Sequence, residues 1–136
     1  MKYTRVYTDA MGETHYDEME VAVAPADFAP PTPPIYLSTF HPAMHYAFCR
    51  FPAGWVGPSH PTPRRQWFCI LSGEMEAQVS DGEVRRFGAG SVVLFEDTAG
   101  KGHLSRAVGP TEAWTVVVQL PADRPGAEGT SEAGAP

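Results

Sequence analysis

The feature that most constrains this chain is the close spacing of turns between short apolar runs from residue 44 onward. Runs at 44–51, 66–71, 74–79, 84–87, 92–95, 103–108 and 113–120 are four to eight residues long. Between them stand Pro52-Ala53-Gly54, Ser72-Gly73, Asp81-Gly82, Gly88-Ala89-Gly90 and Val108-Gly109-Pro110. Asp-Gly between two strand-like runs is a strong hairpin signal, because glycine adopts the positive φ that a tight turn needs. Nowhere does an apolar stripe of 3.6-residue period run for the length of a helix, so bundle and α/β architectures fail. The pattern predicts an all-β fold, an antiparallel jelly-roll (double-stranded β-helix) barrel in one domain.

The rest of the chain is read as attachments to that barrel. Residues 1–43 supply a hairpin (3–8 and 15–23, turning at Gly12). A connection over 24–34 follows, whose five prolines keep it out of a central strand, with an edge strand at 35–40. Residues 44–120 form the barrel core. The tail, 121–136, has no large apolar side chain and is expected to be disordered.

Composition narrows the function. The chain has 136 residues, 43% hydrophobic and 19% charged, with a formal charge of −6. Its only basic pairs of note are Arg64-Arg65 and Arg85-Arg86, so nucleic acid and anionic membranes are poor partners. The start MKYTRVYTDA has no apolar signal region and no stretch is long enough to span a bilayer, which predicts a cytoplasmic protein. Cys49 and Cys69 lie inside strand-like runs and read as reduced core thiols. No nucleotide-binding motif is present, so no organic cofactor is expected.

Chemistry concentrates in the run GWVGPSHPTPRRQWFCILSG, residues 54–73. Alternate residues of an extended segment share a face, which puts His60, Thr62 and Gln66 with Phe68 and Ile70 on the barrel interior. A polar trio on an apolar interior calls for a metal, a ligand or buried water. On 44–51 one face reads His45, Ala47, Cys49 and Phe51, the other Met44, Tyr46, Phe48 and Arg50. Arg50 is the easier to solvate, which turns His45 inward as a further acid/base group. Of the aromatic residues around the motif, Trp55 in the glycine-rich loop, Tyr46 and Phe68 are the candidates to line a ligand site. Arg64 is a candidate to meet a substrate carboxylate at the mouth, and Asp97-Thr98 read as caps of the following glycine turn.

These spacings resemble the first cupin motif, Gly-x5-His-x-His-x3-Glu-x6-Gly, at Gly54, His60, Gln66 and Gly73, with Thr62 for the second histidine and Gln66 for the glutamate. The second motif, Gly-x5-Pro-x-Gly-x2-His-x3-Asn, is similar to Gly90 through His103 with two residues inserted in the turn and Ala107 for the asparagine. The resemblance implies a cupin barrel with a metal set of His60, Gln66 and His103. A divalent transition metal (manganese, iron, nickel or zinc) is the implied cofactor. Cupin hydroxynitrile lyases also carry glutamine at the glutamate position. A neutral ligand set leaves the ion's charge uncompensated, which favours Lewis-acid work (lyase, isomerase or cyclase type) on a small organic substrate over oxidation. Two alternatives stay open: a metal-free enzyme with His60 or His103 as acid or base, and a non-catalytic binding or sensing cupin. By the same resemblance a homodimer is expected, with residues 3–8, Trp67, Cys69 and Leu71 as its face.

Overall fold

The computed structural model describes residues 1–122, so the tail expectation lies outside the described residues apart from its first two positions. The strands are β1 (Lys2–Thr8), β2 (Thr14–Glu20), β3 (Ala24–Ala26), β4 (Ile35–Leu37), β5 (His45–Phe51), β6 (Val56–His60), β7 (Gln66–Ser72), β8 (Glu74–Val79), β9 (Val84–Gly88), β10 (Val92–Phe95), β11 (His103–Ala107) and β12 (Ala113–Gln119). No helix appears among the described residues, and none is therefore long and apolar enough to cross a membrane.

A six-stranded sheet has the order β2-β1-β10-β7-β12-β5, and a four-stranded sheet the order β6-β11-β8-β9. The pairs are antiparallel except β1 with β10, which run parallel with Val6 opposite Phe95. Alternation along each strand builds the core between the two sheets. In β8, Met75, Ala77 and Val79 are buried, and they meet Ile70 of β7, Phe87 of β9 and Val93 and Phe95 of β10. Each side chain of this size that is fully buried contributes roughly 1.5–3 kcal/mol. The opposite face of β8 is half-buried: Glu76 accepts hydrogen bonds from Arg106 and Arg86, its cross-strand neighbours on β11 and β9. Those bonds, Arg106 first, hold its carboxyl below the usual range.

Two parts of the fold differ from the sequence reading. Residues 56–60, read as part of one extended segment running to Ile70, form a separate strand paired with β11 in the smaller sheet, and the 61–65 loop divides it from β7. The proline-rich segment is bracketed by a detached two-stranded ribbon, β3 with β4, in which Pro25 faces Tyr36. Proline is tolerated there because a ribbon has an outer edge that needs no donor.

A second apolar cluster lies apart from the main core: Tyr3, Leu94 and Leu120, flanked by Trp67, Val92 and Val118. Trp67 meets Tyr3 edge to face, with ring centroids 4.8 Å apart. The indole proposed for an intermolecular face thus has an intramolecular partner.

Candidate functional site

A cavity of about 270 Å³ lies within the barrel, with His60, Thr62, Gln66 and His103 in its lining and apolar walls that include Phe51, Trp55, Phe68, Ile70, Phe87 and Phe95. The polar residues come from β6, β7, β11 and the 61–65 loop. In the β6–β11 pair His60 stands directly opposite His103, and their ring centroids are 5.4 Å apart. Gly102 makes this approach possible. Its φ is +71°, and a Cβ there would lie 2.2 Å from the carbonyl carbon and oxygen of His60, so any side chain would force β6 away from β11.

Each of the three candidate ligands has one side-chain nitrogen engaged by a neighbouring acceptor. His103, 6% exposed, places Nδ1 2.6 Å from Asp97 Oδ2. A carboxylate oxygen accepts, so the ring carries its proton on Nδ1 and keeps a lone pair on Nε2. His60 places Nδ1 2.8 Å from the Pro58 carbonyl, with the same consequence. Thr62 donates its hydroxyl to the Arg64 carbonyl and accepts from Gln66 Nε2 at 3.1 Å. That chain fixes the amide orientation and leaves Gln66 Oε1 without this donor beside it. His103 also stacks on Phe95, with centroids 4.6 Å apart.

Asp97 is the buried partner of His103 that the sequence reading missed. It is fully buried and binds His103; it does not cap the glycine turn through its side chain. Its second oxygen, Oδ1, is buried with no hydrogen-bond partner among the described residues. Burying an unsatisfied carboxylate oxygen is costly, and it is tolerated here beside a site rather than in plain core. The neighbouring Glu96 is excluded from the cavity because Arg5 and Arg65 both donate to it.

The structure brings His60, Gln66, His103, Trp55 and Phe68 to one cavity and leaves three other candidates outside it. His45 and Tyr46 lie on β5, the edge strand of the larger sheet, where four successive residues, 45–48, are exposed. Alternation cannot choose an inner face where both faces meet water, and the inward turn expected for His45 therefore fails. Tyr46 is 73% exposed. Arg64 is exposed on the 61–65 loop and does not line the cavity. Trp55, by contrast, lies over Gly57, where a Cβ would approach its indole to 2.5 Å, and packs edge-on against Phe51 with centroids 4.7 Å apart.

Could a divalent ion be held here? Among the described residues no three His, Cys, Asp or Glu side chains gather at ion-binding spacing. The donor set is two imidazoles and an amide oxygen. Its chemistry nevertheless fits a divalent transition metal: two imidazole Nε2 lone pairs and one carbonyl oxygen, each oriented by an outer hydrogen bond of the kind that metal ligands use.

The chain belongs to the cupin family: the family's Cupin domain profile matches residues 47–118, which hold His60, Gln66 and His103. Similar solved structures include a Cupin 2 conserved barrel domain protein from Salinispora arenicola, 23% identical over 57% of this chain and 62% of its own, TM-score 0.47. The chain thus spans under two thirds of that protein. The cupin domain of Schizosaccharomyces pombe Cnp3 is 16% identical over 79% of this chain and 73% of its own, TM-score 0.48. A conserved protein of unknown function from Streptococcus pyogenes, SPY1581, is 23% identical over 61% of this chain and 70% of its own, TM-score 0.45. No protein of curated function matches the chain.

Proposed function

We propose that this cupin binds a small, largely apolar organic molecule in its barrel and acts on it with a divalent metal held by His60, Gln66 and His103. The observation that carries this reading is the set of outer hydrogen bonds: Asp97 on His103, Pro58 on His60 and Thr62 on Gln66 leave three acceptors bordering one cavity. When bound, such an ion supplies Lewis acidity, polarising a carbonyl or lowering the pKa of a hydroxyl, as lyase, isomerase and cyclase reactions require. The chain's own residues do the rest. Asp97 fixes the tautomer of His103, and Thr62 holds the Gln66 amide so that oxygen, not nitrogen, faces the site. Phe51, Trp55, Phe68 and Phe95 bind the apolar body of the ligand and exclude water, which strengthens every polar contact at the other end.

One observation favours a second reading, proton transfer without a metal: only two of the donors are strong ligands, and His103 with buried Asp97 has the form of an oriented general base. Gln66→Glu separates the two. With a metal, the added carboxylate raises affinity for Zn²⁺ or Mn²⁺, and the ion raises the melting temperature of the variant more than that of wild type. Without one, the carboxylate is buried in an apolar wall and the variant is less stable at neutral pH whatever ion is added. Metal titrations followed by thermal melts of protein purified without a nickel column read out the difference, and tighter binding in the variant is the expected result.

A further inference from the structure

Rows of residues cross the smaller sheet from strand to strand, and two neighbouring rows differ sharply in size. His103 pairs with His60 of β6 on one side and with Val79 of β8 on the other. Two residues further along β11, Ser105 pairs with Gly57 and with Ala77. This second row carries only a hydroxymethyl group, a bare backbone and a methyl group. It forms a shallow trough beside the imidazoles, and Ser105 and Ala77 line the cavity. The Trp55 ring closes the trough at Gly57, where a Cβ would stand 2.5 Å from the indole and push it aside.

Ser105 is the polar side chain of this trough. It shares a face of β11 with His103 and lies one strand repeat away, roughly 6.6 Å along the backbone. Other hydroxyls nearby are engaged: Ser59 donates to the Lys101 carbonyl and Thr62 to that of Arg64. The Ser105 hydroxyl has no hydrogen-bond partner among the described residues. It therefore offers a donor and an acceptor to whatever fills the cavity.

The surrounding wall restricts what that can be. No lysine or arginine is among the described residues that line the cavity, and the carboxylate of Glu76 is held by Arg106 and Arg86. A carboxylate or phosphate entering the trough would lose its water without meeting a cation. A dry cavity of ~150 Å³ takes up benzene, so about 270 Å³ holds one ring with small substituents.

Resting on the proposed reading of this cavity as a ligand site, we infer that Ser105 determines its specificity. The substrate is a single-ring compound with one oxygen at the His60–Gln66–His103 end and, across the ring, an uncharged hydroxyl or carbonyl that hydrogen-bonds to Ser105. A separation of one strand repeat suits groups at opposite ends of a ring, not on adjacent carbons. An analogue without the second group leaves Ser105 unpaired and binds more weakly.

NMR titration of the full chain at neutral pH, with and without Zn²⁺, tests this with four probes: 4-hydroxybenzyl alcohol, its 2-hydroxy isomer, benzyl alcohol and 4-(hydroxymethyl)benzoate. In the metal-free protein 4-hydroxybenzyl alcohol should bind about 5- to 10-fold more tightly than benzyl alcohol, the 2-hydroxy isomer no better than benzyl alcohol, and the benzoate most weakly of the four. Ser105→Ala should bring 4-hydroxybenzyl alcohol to within about twofold of benzyl alcohol while benzyl alcohol binds as it does to wild type. Equal affinity of wild type for these two alcohols overturns the inference. So does an equal loss of both in Ser105→Ala, which is what a merely structural serine would give, or tightest binding of the benzoate. Discrimination by Ser105 without Zn²⁺ uptake would sink the metal reading and leave this inference standing, and Zn²⁺ uptake without discrimination would do the reverse.

Discussion

Two histidines in this chain each sit 2.6 Å from an aspartate, and the difference between them separates a candidate ligand from a structural tie. His15 lies at the start of β2 with both ring nitrogens engaged, Nε2 on Asp9 and Nδ1 on Asp81 at 2.7 Å. All three side chains are about one-third exposed. It staples the β1–β2 turn to the β8–β9 turn and has no nitrogen left for a ligand. His103 is tied through one nitrogen only, to an aspartate that is 0% exposed, and it lines an apolar cavity. Proximity to a carboxylate is common to both. What distinguishes them is an unengaged nitrogen in a dry, concave setting.

The sharpest way to break the comparison is to delete each imidazole. His103→Ala leaves Asp97 buried with neither oxygen satisfied and removes the ring stacked on Phe95. The expected cost is about 3 kcal/mol, a fall in Tm of roughly 10 °C for a domain of this size, together with loss of metal binding. Calorimetry and a Zn²⁺ titration check both. Equal losses from His15→Ala and His103→Ala would erase the distinction.

Asp97→Asn is gentler and more specific. The amide keeps the shape but can donate to Nδ1, which moves the ring proton to Nε2 and removes the lone pair from the cavity. Metal affinity should fall about 10- to 100-fold while the circular dichroism spectrum stays the same. An affinity within twofold of wild type would show that the aspartate only fills space.

The smallest effect is at His15. Its hydrogen bonds to Asp9 and then Asp81 raise the imidazole pKa above its usual value, and the partnership with His15 holds Asp9 below the usual carboxylate range. A raised histidine stabilises the fold in full below the unfolded value of about 6.5 and loses that contribution as pH rises through the folded value. The depressed Asp9 acts in the opposite window, losing its contribution as pH falls through the carboxylate range. His15→Gln should therefore melt below wild type near pH 6, and the gap should close as pH rises toward 9. A gap that widens with pH would contradict the assignment.

How much of this was legible beforehand follows from what each residue depends on. The barrel was readable because its turns are spelled by glycine and its strands by alternation, and both are local. The grouping of Gln66, Phe68 and Ile70 was readable for the same reason, since β7 carries all three, whereas His60 reaches the same cavity from β6 in the other sheet, across a 61–65 loop that breaks the single extended segment expected. Asp97 was not. Its role depends on a loop that folds back over six residues to meet His103, and an Asp-Thr before glycine reads locally as a cap. His45 and Tyr46 were misplaced because alternation assumes that a second layer covers the strand, whereas both faces of β5 are open at its first four residues. The β3–β4 ribbon hides behind prolines that ordinarily forbid a strand and are harmless at a free edge.

The most direct test of the central claim, that His60 and His103 carry free Nε2 lone pairs as metal ligands while His15 is spent on structure, is ¹⁵N NMR of the imidazoles with and without Zn²⁺. The account predicts Nδ1–H tautomers at His60 and His103 in the metal-free protein, large Zn²⁺-induced shifts confined to their Nε2 resonances, and no change at His15. Nε2–H tautomers at either residue, or Zn²⁺ shifts that appear at His15, His41 or His45 and spare His60 and His103, would contradict it.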